Sequence, residues 1–185
     1  MKTLILHPLD QSTDFLLPIH DEFDNSTVIR SSDFDTDIPE EIKTHDSIIA
    51  MGHGSPSGLF SVGQFHSGRT FVLDQRETEI LRSKSKNIFI WCYAYEFANK
   101  YKIPCFCTNM FISEVPEAYY MELKQVSALM VEESNTCFVR ELSSCIHLPI
   151  EEIKDCLMKS EYAKLSQKNP VAAFNFERFH LVNLN

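Results

Sequence analysis

The stretch "DSIIAMGHGSPSGLFSVGQFHSGRT", residues 46–70, opens on an apolar run and then holds all 5 glycines of the chain, Gly52, Gly54, Gly58, Gly63 and Gly68, around His53. The run "SIIAM" (47–51) has no polar alternation after its first residue, as suits a parallel strand covered on both faces. A histidine just beyond such a strand stands at its carboxyl end. In an open parallel sheet, that is where the loops converge and ligands bind.

Working outward, "TLILH" (3–7), "STVIRS" (26–31), "NIFIWC" (87–92) and "PCFCTNM" (104–110) read as further strands. Helical patterns separate them. "STDFLLPIHDEF" (12–23) is expected to start on a Ser12 or Thr13 cap, and "IPEEIKTH" (38–45) carries Pro39 in its first turn. "QRETEILRSK" (75–84) and "AYEFANKY" (94–101) follow the same logic, while "GLFSV" (58–62) and "RTFVL" (69–73) predict a small hairpin past the third strand. From Ser113 onward the pattern is helical, with one further helix over 149–166 begun by Pro149. The final "NPVAAFNFERFHLVN" (169–183) has the alternation of an extended segment. Strands alternating with helices predict an α/β class with a parallel sheet.

A chain of 185 residues, 44% hydrophobic, buries one good core, so a single domain over 1–185 is expected. The net charge of −9 argues against a general nucleic-acid binder, which gains affinity by neutralising phosphates. Most of the N-terminal acid falls between residues 21 and 46, as a solvated face or a rim that attracts basic ligands. The start, "MKTLILHPLD", lacks a signal-peptide core, and no run is long enough to span a membrane; a cytoplasmic protein is expected. The 6 cysteines, Cys92, Cys105, Cys107, Cys137, Cys145 and Cys156, are expected as reduced thiols. No Cys-x-x-Cys occurs, so neither structural zinc nor another cofactor is expected.

Chemistry concentrates at two strand ends. His53 follows "SIIAMG" and Cys92 closes "NIFIW", so if these strands are neighbours an imidazole and a thiol face one cleft. That pair is the minimum for thiol nucleophilic catalysis, the histidine taking the sulfur proton and returning it to the leaving group. A nearby imidazolium, or the start of the 94–101 helix, is expected to lower the thiol pKa. Gly54 lets the main chain approach an oxyanion, and the Gly54 and Cys92 N–H groups are the expected donors. Gly58, Gly63 and Gly68 are assigned to turns, and Gly52 to ending the strand.

An apolar strand ending in His-Gly, a hairpin-containing insert and an apolar strand ending in Cys resemble the caspase-like cysteine peptidase superfamily. That group includes caspases, metacaspases, legumain, gingipain, clostripain, separase and the bacterial CHAT proteins. The resemblance spans roughly residues 45–98 and carries over to His53, Gly54 and Cys92 only. It implies a three-layer α/β/α sandwich on a mostly parallel sheet of about six strands, and a His/Cys dyad cleaving a peptide or protein substrate after a selected side chain. The family usually places glycine one or two positions after the cysteine, where this chain has Tyr93, Ala94 and Tyr95. Those tyrosines crowd the channel or wall a pocket, and they keep a non-cleaving interaction module, with or without a regulatory partner, as the alternative.

A basic specificity needs a carboxylate in the substrate pocket, with Asp74, Asp33, Asp35 or Asp37 as candidates and Tyr93 as a wall. An acidic specificity needs converging arginines, and Arg69, Arg140 and Arg178 are scattered. "GHGS" also resembles the opening motif of sirohydrochlorin-type metal chelatases, in which His147 or His180 would have to join His53. A phosphate-binding loop is disfavoured because "GHGSPSG" has neither nucleotide-loop spacing.

Overall fold

The computed structural model describes residues 1–31, 36–62, 65 and 69–182. Asp33, Asp35, Gly63 and Gly68 lie outside the described residues. In chain order, β1 (Thr3–Leu6) leads into a 3-10 helix, Gln11–Glu22, then β2 (Ser26–Ile29), α1 (Ile38–Thr44) and β3 (Ser47–Met51). A small excursion, β4 (Gly54–Ser55), β5 (Gly58–Phe60) and β6 (Phe71–Leu73), precedes α2 (Thr78–Arg82) and β7 (Lys86–Ile90). The chain continues through α3 (Ala94–Tyr101), β8 (Cys105–Thr108), α4 (Val115–Tyr120), α5 (Ala128–Cys145), α6 (Ile150–Met158), α7 (Glu161–Leu165), α8 (Pro170–Phe176) and β9 (Phe179–Val182).

The main sheet has the order β2-β1-β3-β7-β8-β9, with only β9 antiparallel. Strand alternation sorts its side chains into two cores. Ile5, Ile49, Met51, Ile88 and Ile90 pack with Leu16 and Ile19 of the 3-10 helix, Phe138 and Leu142 of α5, and Ile153 of α6. Leu4, Leu6, Ile48, Ala50, Phe89 and Trp91 pack with Ile38 and Ile42 of α1, Leu81 of α2, and Phe97 of α3. The fold is therefore a three-layer α/β/α sandwich on a six-stranded, mostly parallel sheet. No helix among the described residues is long and apolar enough to cross a membrane.

Four local expectations are corrected. The first helix is capped by Asp10 rather than Ser12 or Thr13, and it is 3-10 along its length with Pro18 inside. The single helix expected over 149–166 is two, because Ser160 accepts a bond from the Tyr162 N–H and starts a new one. The segment read as extended is half helix: Asn169 caps α8, with Pro170 in its first turn, and only Phe179–Val182 is strand. Finally, Cys145 and Cys156 form a disulfide, while Cys92, Cys105, Cys107 and Cys137 are free. Packing of α6 against α5 brings two helical cysteines to a Cα separation of 6.1 Å, a proximity that chain spacing alone cannot reveal.

Candidate active site

β3 and β7 are parallel neighbours with Met51 opposite Ile90, and the Gly52 N–H continues the ladder to the Ile90 carbonyl at 3.0 Å. Met51 and Ile90 both point into the core beneath the 3-10 helix and α5. His53 and Cys92 follow two residues beyond these strand ends, after the bend at Gly52 and the turn at Trp91. Both line one cleft with Thr13, Phe15, Leu16, Phe111 and Glu117. Its cavity volume is only about 20 Å³, room for about one water molecule.

His53 is held by residues from the start of the first helix. Its Nε2 lies 2.7 Å from Ser12 Oγ, which lies 2.6 Å from Asp10 Oδ1; the carboxylate oxygen is itself 3.7 Å from Nε2. An ionised carboxylate only accepts, so the Ser12 hydroxyl donates to Asp10 and in turn accepts the His53 Nε2–H. That assigns the tautomer with the lone pair on Nδ1, which has no bonded partner among the described residues. The Ser12 hydroxyl and N–H, followed by His53, hold the Asp10 carboxyl below its usual range. Asp10 and Ser12 are the site residues that the sequence reading missed. The cap signal at Ser12 was visible, but a contact across 41 positions to His53 was not.

Cys92 sits at a sharp strand-to-helix turn. The Ala94 N–H and the Thr108 hydroxyl both donate to the Trp91 carbonyl, and Tyr93 adopts the left-handed conformation (φ 67°, ψ 23°) at the N-terminus of α3. A non-glycine residue there carries about 1–2 kcal/mol of strain. The thiol departs from expectation. Burial pushes Cys92 up to about 11, a backbone hydrogen bond from Phe111 offsets part of this, and the Glu117 carboxylate adds to it; the Sγ–H also donates to the Phe111 carbonyl at 3.6 Å. Neither the helix start nor the imidazole outweighs desolvation, so the resting sulfur is a thiol.

Gly54 has a packing cause. A Cβ on it would lie 2.1 Å from Trp91 Cδ1, and the Trp91 indole N–H reaches the Ser55 carbonyl at 3.3 Å. Its own N–H remains usable. The Phe60 N–H donates to the His53 carbonyl, so the next pair along, Gly54 opposite Leu59, is the non-bonded type whose N–H turns away from β5.

The remaining candidates are placed elsewhere. Asp74 caps the 3-10 turn Gln75–Glu77 and is gripped by Arg76 at 2.9 and 2.6 Å, with Arg69 at 3.9 Å, so its carboxylate is committed to cations of the chain itself. Asp37 caps α1. His180 stacks on Tyr95 with ring centroids 4.1 Å apart. His147 packs on Phe23 beside Glu22, at a surface shared with Thr3 where β1 begins, and neither histidine joins His53. Among the described residues no group of three or more His, Cys, Asp or Glu is arranged to hold a metal ion.

No protein-family model matches the chain, and no curated protein matches it. Among solved structures it is similar to one described as "Structure of a flavodoxin from the domain Archaea", at 11% identity and a TM-score of 0.37, over 71% of this chain and 99% of that one. A likeness that slight carries no argument about chemistry.

Proposed function

We propose that this chain is a caspase-like cysteine endopeptidase in which His53 and Cys92 form the dyad and Asp10 and Ser12 position the histidine. The observation that carries the reading is the placement of His53 and Cys92 beyond the ends of adjacent parallel strands and in one cleft. In the reaction, His53 Nδ1 takes the Sγ proton as sulfur bonds to the substrate carbonyl carbon. The oxyanion that forms accepts from the Gly54 and Cys92 N–H groups. The C–N bond then breaks, the leaving amine takes the proton from His53, and water hydrolyses the thioester to regenerate the thiol and release the acid. Because the thiol is not pre-ionised, proton transfer accompanies attack rather than preceding it.

A second reading, a non-cleaving interaction module, is favoured by one observation: the cleft volume of about 20 Å³ above a thiol pushed up to about 11. The two readings separate on cleavage of an internally quenched peptide library by the wild-type chain, Cys92→Ala and His53→Ala. Turnover abolished by either substitution supports the peptidase. Turnover that is absent throughout, or that survives Cys92→Ala, overturns it. A regulatory protein partner belongs to the same proposal, as does a cytoplasmic location. The Cys145–Cys156 bridge gives that location its own test, since a reducing compartment holds such pairs as thiols.

A further inference from the structure

His7 is fully buried and takes no part in the dyad. It follows β1, and its N–H extends the ladder to the Ile29 carbonyl at 3.0 Å. A buried imidazole has to find its hydrogen bonds inside the protein. His7 Nε2 lies 3.1 Å from Thr13 Oγ1, and Nδ1 lies 3.0 Å from His20 Nε2. Burial first, then the charges of His20 and Arg30, lower the ring to about 4, so at pH 7 it is neutral, with one nitrogen donating and the other accepting.

These bonds run in one direction. The Thr13 hydroxyl donates to the Asp10 carbonyl at 3.0 Å, so it accepts the His7 Nε2–H, and His7 Nδ1 in turn accepts the His20 Nε2–H. The same Asp10 carbonyl accepts the Thr13 N–H at 3.1 Å. Asp10 is thereby held at two points. Thr13 grips its carbonyl, while its carboxylate accepts from the Ser12 N–H at 2.9 Å and from the Ser12 hydroxyl that meets His53. Two chains of hydrogen bonds therefore end on Asp10, one from His20 through His7 and Thr13, the other from His53 through Ser12. Both start from one sheet, because β1 pairs with β3, Leu6 opposite Ala50.

We propose that His7 is a positioning residue for His53, acting through Thr13 and Asp10. Its Nε2–H aims the Thr13 hydroxyl at the Asp10 carbonyl, which fixes the plane of that peptide and with it the direction in which the Asp10 carboxylate meets Ser12. The use made of His53 rests on the peptidase reading, but the orientation of its ring does not. A histidine that only filled the core would leave that orientation alone.

Nitrogen NMR of the folded protein reads the tautomers, and acylation of Cys92 by an activated peptide ester reads their use. Thr13→Val removes the hydroxyl at nearly constant shape, and His7→Leu removes the donor while keeping an apolar side chain in place. Both are expected to turn the single Nε2–H tautomer of His53 into a mixture and to slow acylation about tenfold. Thr13→Ser keeps a hydroxyl, and His7→Gln places an amide N–H where Nε2–H stood; both are expected to restore the single tautomer. The wild type needs no variant to be decisive, since His7 must itself carry its proton on Nε2. A wild-type His7 protonated on Nδ1, a His53 tautomer unchanged in either Thr13→Val or His7→Leu, or a mixture that persists in either conservative variant overturns the inference. If the tautomer responds as expected while Cys92 forms no acyl group, or acylates at a rate blind to the tautomer, the peptidase reading fails and the positioning stands. Acylation of the wild type with a His53 tautomer indifferent to His7 and Thr13 does the reverse.

Discussion

His53 Nε2 and Ser12 Oγ lie 2.7 Å apart, and this contact ties the end of β3 to the first turn after β1. Asp10 stands behind it at 2.6 Å from the same hydroxyl, so the ring is held by a carboxylate relayed through a serine. The arrangement fixes which nitrogen carries the proton.

Asp10→Asn keeps a side chain that caps the helix but removes the charge, so stability should change by less than about 0.5 kcal/mol. Nitrogen NMR of His53 should show the Nε2–H tautomer in the wild type and a mixture in Asp10→Asn and Ser12→Ala. An unchanged tautomer in both variants would mean that the relay does not orient the ring.

The Cys92 thiol, pushed up to about 11, should alkylate slowly at neutral pH, with about one molecule in ten thousand ionised at pH 7. The iodoacetamide rate should rise about tenfold per pH unit from 7 to 10. Glu117→Gln removes a nearby negative charge and should shift that profile to lower pH. A plateau near pH 8 would show that the thiol is activated after all.

His7 should make the protein acid-sensitive before its carboxylates do. Burial first, then the charges of His20 and Arg30, lower it from 6.5 to about 4, and it is bonded to His20 at 3.0 Å and Thr13 at 3.1 Å. The unfolded chain takes up this proton below pH 6.5 while the folded one resists until about 4, so stability falls as pH drops across that window and the loss is complete below it. The loss amounts to about 3 kcal/mol at most. Denaturant melts at pH 7, 5.5 and 4 should lose this slope in His7→Gln.

Tyr93→Gly should relieve the left-handed turn at φ 67°, raising stability or leaving it unchanged within about 1 kcal/mol. A loss of more than about 2 kcal/mol would show that the tyrosine ring packs more than it strains.

Reducing Cys145–Cys156 releases a bridge across a sequence separation of 11 and should cost about 3 kcal/mol on the chain-entropy account. Thermal melts with and without dithiothreitol measure it, with Cys145→Ser/Cys156→Ser as the control.

The parallel core was legible because β1, β3 and β7 are buried on both faces and each holds a short apolar run without polar alternation. His53 and Cys92 were legible as strand-end residues for the same reason. The Asp10–Ser12 support was not, because the turn after β1 meets β3 only once the sheet order places those strands side by side. The thiol pKa was misjudged because a helix start is visible in sequence, whereas the desolvation imposed by Phe15, Leu16 and Phe111 is not. Asp74 looked available because chain spacing does not show that Arg69 and Arg76 engage it.

The central claim is that Cys92 attacks a carbonyl with His53 as its base. Intact mass spectrometry of protein quenched in acid seconds after mixing with an activated peptide ester tests it directly. The account predicts one acyl group on Cys92, absent in Cys92→Ala and formed at least about a hundredfold more slowly in His53→Ala. No adduct on Cys92, or an adduct that forms equally fast without His53, would contradict it.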